Sequence, residues 1–383
     1  MKSFLPNDIK DQNRKIIFDI LLQEPDLAKV EVSERTVMSF VTVSKIIDYF
    51  EQIGIVTVNG ESREGSGGLG RKRVVYSFNP NSYSTIGIQM IGNKVSAVLI
   101  NLYNQVLNTY ETDMQVPFQE DIVVGAVKNI AEHFQEIAKK LPTTITGVGI
   151  GIDGAIHEKN KTIRMRASRD KEQDYPYEEI LKKLEQEIDL PVIIENDVNA
   201  SAIAEFILLD KTGEGPEDLL QIALGEGVGA GLILDKKLHR GHNAGVGELE
   251  YMCFDTEFVN SPSSIGWLES KLNLDYLAET FHYSVGNPED MTREEKEKSV
   301  DYISKYIALA ITNIVSLLDI RSIILSGKTI TVFPEEILAK TAEYINRYTG
   351  WQLDISVSTK KNSTAIGAAI LSLQKEMTKV ISG

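Results

Sequence analysis

Residues Leu224 to Leu232 read Leu-Gly-Glu-Gly-Val-Gly-Ala-Gly-Leu, four alternating glycines between two apolar runs. Glycines at this density let a backbone turn tightly and bring its N–H groups against a ligand, most often a phosphate. Glu226, between the first two glycines, works against that use, because a carboxylate repels phosphate. A second place suited to phosphate lies near the start of the chain. There Arg71, Lys72 and Arg73 close a glycine-rich stretch that begins at Gly65. Consecutive cations on a flexible loop suit contact with a nucleic-acid backbone or insertion into a minor groove. One loop has the shape for phosphate and the wrong charge; the other has the charge.

The elements around the basic loop give it a context. Ile9, Ile16, Ile17, Ile20 and Leu21 recur at helical spacing after Asn7 or Asp8 as N-cap, and Pro25 ends the segment. Val43, Ile46, Ile47, Phe50 and Ile53 form a second apolar stripe, closed by Gly54. Residues 27–38 leave room for a short middle helix and a turn. The runs 55–58 and 74–78 read as strands on either side of the basic loop. Three helices followed by a hairpin is the layout of a winged helix-turn-helix. It would set the helix around Thr42–Gln52 in the major groove, with the loop as wing. The DNA-facing candidates are then Ser39, Thr42, Ser44, Lys45, Tyr49, Arg71, Lys72 and Arg73. The glycine usual in the turn is absent, and Val37-Met38-Ser39-Phe40 stands in its place. An ordinary polar helix face and a solvated linker are the plainer alternative.

Composition narrows the classes. With 383 residues, 42% hydrophobic and 25% charged, the chain has the make-up of a soluble globular protein of two or three domains. A single cysteine, Cys253, rules out an internal disulfide framework and fits a reducing cytoplasm. No uninterrupted apolar run reaches the roughly 18 residues of a membrane span, and no signal peptide is apparent. The net charge of −15 would by itself argue against nucleic acid. Residues 1–80, however, carry eleven Lys/Arg and eleven Asp/Glu, so the whole acidic excess belongs to residues 81–383. A neutral head with a local basic cluster can bind DNA while the acidic body does not.

From Tyr83 the pattern becomes strand, strand, strand, helix, strand, helix, strand: 86–90, 95–100, 106–110, 122–140, 147–152, 177–188 and 191–195. New strands at 219–224 and 230–234, helices at 263–273 and 293–318, a strand at 322–325 and a closing helix at 364–375 complete the chain. The order is similar to that of actin-like ATPases and sugar kinases. The expected class is α/β, with a winged helix-turn-helix head over 1–80 and two lobes. The first lobe covers 81–196 and is completed by 363–383; the second covers 197–362.

Four motifs in order sharpen this. Glu195-Asn196-Asp197-Val198-Asn199-Ala200, the glycine ladder, Gly241-His242 and Gly247-Glu248 resemble the ROK family, which groups repressors, open reading frames and sugar kinases. The winged head resembles that of the family's repressors and is foreign to its kinases. In the resemblance Asp197 matches the catalytic base of the kinases. The phosphate and metal side fares worse. Gln89-Met90-Ile91-Gly92-Asn93 stands where the kinases carry an Asp-x-Gly-Gly-Thr hairpin, and Glu226 replaces a hydroxyl residue. Gln89 has no charge to hold magnesium, and Ile91 adds bulk where backbone should meet phosphate.

The sugar side is better kept. Asp153, Asn196, Asp197, Glu248, Tyr251 and Glu269 match or replace the family's sugar-binding positions. Tyr251 and Trp267 beside acids would suit stacking on a sugar ring. Tyr251 replaces a histidine of the family's zinc site, and Asn260, Pro262 and Trp267 take the places of its cysteines. The resemblance therefore implies no zinc, no cofactor and no catalysis, with the segment 253–264 held by packing. It implies a sugar-responsive DNA-binding repressor, cytoplasmic, without a membrane partner, working as a homodimer or a dimer of dimers. An active ATP-dependent sugar kinase and a DNA-binding scaffold that ignores ligands are the alternatives.

Overall fold

The computed structural model describes residues 6–62, 73–91, 94–113, 120–157, 162–168, 171–209, 215–259 and 266–383. The chain opens with α1 (Pro6–Gln23), β1 (Asp26–Ala28), α2 (Lys29–Thr36), α3 (Phe40–Gln52), β2 (Val56–Ser62) and β3 (Arg73–Phe78). The three strands pair antiparallel in the order β1-β3-β2. The stripe expected on α3 is the buried one, with Val43, Ile46, Ile47 and Phe50 inside. On α1 the buried side is Ile17, Phe18 and Leu21, whereas Ile9 and Ile16 are exposed. The tip of the basic loop, with Arg71 and Lys72, lies outside the described residues.

Val37 fills the place of the missing glycine by adopting a glycine's conformation. It ends α2 with φ 57° and ψ 23°, in the left-handed region, with 93% of its surface in water. A β-branched residue there costs about 1–2 kcal/mol and gains no burial in return. Val37→Gly gives back part of this through unfolded-chain entropy. Its net effect is expected to be a stabilisation of up to about 1 kcal/mol, read as a higher urea midpoint. A lower midpoint would show that the valine side chain has a packing role.

The first large sheet uses β4 (Tyr83–Ile91), β5 (Lys94–Asn101), β6 (Val106–Asp113), then α4 (Glu120–Lys140) and β7 (Thr144–Ile152). A small three-stranded flap follows: β8 (Gly154–His157), β9 (Thr162–Ser168) and β10 (Lys171–Pro176). Then come α5 (Tyr177–Ile188), β11 (Val192–Asn196) and α6 (Asp197–Leu209). The sheet order is β11-β7-β4-β5-β6, parallel for its first three strands and antiparallel beyond. The parallel strands β7 and β11 end together, with Asn196 beside Ile152.

The second large sheet is built from β12 (Leu219–Leu224), β13 (Val228–Leu234) and β14 (Lys237–Leu238). After them come α7 (Trp267–Leu272), α8 (Leu274–Phe281) and α9 (Arg293–Leu318). The chain ends with β15 (Ser322–Ser326), α10 (Lys328–Val332), α11 (Pro334–Thr349), β16 (Asp354–Val357) and α12 (Ser363–Ser382). The order is β14-β13-β12-β15-β16. The helix expected over 263–273 is instead two, α7 and α8, split by Asn273, which caps α8 by accepting from Tyr276 N. α9 is long and apolar enough to cross a membrane, but Ile303, Ile307 and Ile311 are buried in the core beside α11.

Two helices fill the space between the large sheets. α12 packs on β4 and β7 of the first sheet and on α6, while α6 packs on β12 and β13 of the second. The apolar core that begins with Ile17, Val43 and Phe50 of the head continues without a break into Met377 and Ile381 of α12.

Candidate functional site

The C-terminal ends of β7 and β11 deliver Asp153, Asn196 and Asp197 to one rim of a cleft, as expected where parallel strands meet helix starts. The cleft is an open space of about 1390 Å³ between the two large sheets. Glu248, Tyr251 and Glu269 line it from the other side. Gly247 makes their approach possible. Its φ is 96°, and a Cβ there would stand 1.9 Å from the carbonyl oxygen of Ala230, so only glycine lets this loop lie against β13.

The six cleft residues expected from the sequence are thus brought together, but they do not all have free hands. The Asn196 Oδ1 accepts from Val198 N and Asn199 N at 3.0 Å, capping α6, and its Nδ2 donates to Gly154 O at 3.1 Å. Its amide is largely spent on holding the rim. Glu269 is buried beneath the glycine ladder, where its Oε2 accepts from Val228 N at 3.1 Å. Tyr251 is half-exposed and faces the cleft. Trp267 does not: it is buried edge-on against Phe254 and Tyr306, so its expected role in stacking on a sugar ring is corrected to core packing. Asn260 and Pro262, in the segment expected to be held by packing, lie outside the described residues.

Asp197 is held at a cost. Its carboxyl is pushed up to about 7, first by burial, then by the nearby charge of Asp153 and more weakly by Glu248. Backbone N–H groups at the start of α6 pull the other way and lose. A carboxyl pushed this far in a cleft is a mark of a functional site. Paired acids and an aromatic ring suit hydroxyl-rich ligands, because each oxygen can serve a donor on the ligand.

The glycine ladder is the β12–β13 hairpin turn, and its polar groups are already engaged. Gly225 N donates to Gly227 O at 3.0 Å, and Val228 N is taken by Glu269. The Glu226 Oε1 accepts from Lys328 Nζ at 2.6 Å. Ile91 projects from the end of β4 into the same space. Glu226, Glu269 and Ile91 thus share the lining of the cleft beside the ladder. Among the described residues no three His, Cys, Asp or Glu side chains stand close enough to hold a metal ion.

The DNA-facing candidates divide. Ser39 is the N-cap of α3, accepting from Thr42 N, with the two hydroxyls 2.9 Å apart. Ser44 accepts from Lys29 Nζ at 3.1 Å. Lys45 is exposed, and so are Val37, Phe40 and Val41 at the turn into α3. Tyr49 is a correction: its hydroxyl donates to Val380 O at 2.7 Å, and the Arg14 guanidinium lies 3.8 Å over its ring. It faces α12, not open solvent. Arg73 begins β3 opposite Ser62, while Arg71 and Lys72 lie outside the described residues.

Tyr49 instead reveals a connection that the sequence concealed. At one end of α12, Thr364 Oγ1 donates to Asp197 O at 3.1 Å and Ser363 meets Ser201. At the other end, buried Arg14 donates to Ile381 O at 2.9 Å and to Ser382 O, beside the Tyr49 contact. One 20-residue helix, about 30 Å long, touches both the cleft and α3.

A sequence profile of the ROK family matches residues 85–262 and 286–375. A xylose repressor of Caldicellulosiruptor bescii is 25% identical over 96% of this chain and 97% of its own length. A ROK family transcriptional regulator, described as a homologue of the Escherichia coli MLC protein, superposes with a TM-score of 0.75 at 16% identity, covering 98% of this chain and 99% of that one. A ROK family glucokinase from Streptomyces griseus, solved with glucose and AMPPNP, gives a TM-score of 0.60 at 22% identity over 76% of this chain and 99% of that one. The repressor and the regulator extend over the head; the kinase does not cover the whole chain.

Proposed function

The chain belongs to the ROK family, and from that premise we propose that it is a sugar-responsive repressor of carbohydrate genes, without kinase activity. The observation that carries the proposal is a cleft of acids suited to hydroxyls, joined by α12 to a helix-turn-helix head. The near full-length likeness to a xylose repressor supports the same reading. The engaged glycine ladder argues against the kinase alternative, since Glu226 puts a carboxylate in the loop itself and the Val228 N–H is already taken by Glu269.

In this reading the head is a winged helix-turn-helix over about residues 1–80. Lys45, Thr42 and the exposed Val41 are offered to the major groove, and the wing cations Arg71, Lys72 and Arg73 to the backbone or minor groove. Apolar side chains at the start of α3 suit thymine methyl groups. Two heads are needed to read a palindrome, so the working form is a homodimer or a dimer of dimers, in the cytoplasm. Sugar entering between 81–196 and 197–362 closes the lobes and moves α12, which changes the placing of the heads.

The test uses the full-length protein and a duplex selected by it from a random pool. Binding should weaken steeply with salt, with log K falling by roughly 0.9 per phosphate contact on a log salt scale. Changing Arg71, Lys72 and Arg73 together to Ala should reduce that slope by about 2–3 and weaken binding at every sequence. A sugar from a monosaccharide and disaccharide panel should shift the DNA affinity. Turnover of ATP with any sugar of the panel would overturn the non-kinase reading, and an unchanged salt slope would remove the wing from the interface.

A further inference from the structure

Beside the acidic cleft lies a second, smaller chamber, of about 540 Å³ when the open solvent at its mouth is included. Asn196, Val198, Gly229 and Glu248 line both spaces, so the two compartments adjoin across Glu248. One side of the chamber is apolar, with Ile156 from the flap, Ile194 from β11 and Val246 from the loop after β14. The other side is polar and built. Glu195 and Asn199 are each more than nine-tenths buried. The Glu195 Oε2 accepts from Arg240 Nε at 3.0 Å and from an Arg240 Nη at 2.5 Å, so the guanidinium of the second-sheet loop is fixed on the end of the first sheet. The Glu195 Oε1 accepts from Asn196 N at 3.1 Å and Asn199 Nδ2 at 3.2 Å. That carboxylate therefore has no capacity left for a ligand. Arg240 does: an arginine has five N–H donors, and those beyond the Glu195 pair meet no partner among the described residues.

We propose that this chamber is a second sugar subsite, and that the effector is a disaccharide with one ring against Asp197 and Glu248 and the other against Arg240. The proposal rests on the sugar-responsive reading given above. A sugar ring presents apolar C–H faces and a rim of hydroxyls, which is what a wall of Ile156, Ile194 and Val246 opposite an oriented guanidinium would take. The Glu195 carboxylate neutralises Arg240, so the chamber favours hydroxyl acceptors over phosphate or carboxylate groups. A two-ring ligand also touches both large sheets, through Asn196 on one and Arg240 on the other, whereas a ligand confined to the chamber's own width would leave the Asp197 acids unused.

The experiment is a thermal-shift and calorimetric titration of the full chain with xylose, glucose, xylobiose, cellobiose, maltose and sucrose. At least one disaccharide is expected to bind about tenfold or more tightly than its constituent monosaccharide. Arg240→Lys, which keeps a cation for Glu195 but loses the fixed fork, should reduce that advantage to within about threefold. Ala244→Leu should do the same by filling the chamber from a loop position whose φ of 54° is already occupied by an L residue. Both variants should leave the monosaccharide affinity unchanged. A monosaccharide that binds as tightly as every disaccharide would overturn the second subsite and leave the sugar-responsive reading intact. So would a disaccharide advantage that survives both substitutions. No response to any sugar would overturn both.

Discussion

Replacing Gly367 by alanine is expected to lower the unfolding free energy by about 3 kcal/mol or more, a larger loss than any polar substitution on the surface would bring. The reason lies in how α12 is seated. A Cβ on Gly367 would stand 1.7 Å from the carbonyl oxygen of Ala200 and 2.4 Å from its carbon, both backbone atoms of α6. Relief by moving α12 away from α6 is blocked on the opposite side. There Gly149 of β7 already touches the Ala368 carbonyl so closely that its own Cβ would be 1.9 Å away, and Gly87 of β4 meets Ala365 likewise. No rotamer can yield, because every one of these contacting atoms is main chain, and a core at crystal-like density has no slack to absorb the shift. Gly125 is the control. It lies on the exposed side of α4, where an added methyl group would meet nothing within 4 Å. Gly125→Ala should stabilise by up to about 1 kcal/mol through helix propensity. Denaturant midpoints of the two variants decide the matter; equal midpoints would mean that α12 is not wedged between the sheets.

The same wedge explains which parts of the fold are legible in the sequence. Segments that bury one regular face announce themselves: α3 by Val43, Ile46, Ile47 and Phe50, and β7 and β11 by near-continuous apolar runs. The flap β8–β10 does not. Its register sets Arg166 opposite Glu172 and Arg164 opposite Asp174, so charged positions interrupt the run and leave no apolar alternation long enough to notice. α11 is equally quiet, since its buried positions include Thr341 beside Ile337, Tyr344 and Ile345. In both cases the element is decided by neighbours remote in sequence.

The site shows the same limit at the level of single side chains. Asp153, Asn196, Asp197 and Glu248 reach the cleft from strand ends or turns marked by glycine or by the Asn-Asp pair, while Tyr251 ends a short helical turn and Glu269 sits in the first turn of α7 after Gly266. What they do there depends on partners far along the chain. Tyr49 has the right helix face for DNA by periodicity alone, yet its acceptor is Val380, 331 residues away. Trp267 stands next to acids in sequence and packs on Tyr306 in space. Glu195 and Arg240 are 45 residues apart, and Glu226 and Lys328 are 102 apart, so neither ion pair leaves a local signature. Adjacency in sequence can nominate a side chain for a cleft, but it cannot say which of its hydrogen bonds are already used.

Asp197→Asn should make the protein more stable and less able to hold its ligand. In the folded chain the carboxyl is raised to about 7, whereas in the unfolded chain it returns to about 3.8. The folded state therefore binds more protons between these values, and stability falls as pH rises through that window. Below about 3.8 both states are protonated and the residue contributes nothing; above about 7 the full penalty applies. Asparagine has the same shape, and its Oδ1 can still accept from Val198 N, as Asp197 Oδ1 does at 2.9 Å. The variant should match the wild type near pH 4 and exceed it by on the order of 2 kcal/mol at pH 8. That figure is below the full shift because the carboxyl borders the open cleft and titrates together with Asp153 and Glu248. Chemical denaturation at the two pH values tests it, and a difference that is constant with pH would assign the effect to something other than ionisation. Ligand binding should move in the opposite sense. A hydroxyl donating to the ionised carboxylate gains a charge-assisted bond that an amide cannot match, so wild-type affinity should rise with pH through 7 and the variant's should not. A destabilising charge kept in a cleft points to a use in binding, and here the main chain of the same residue accepts from Thr364 in the first turn of α12.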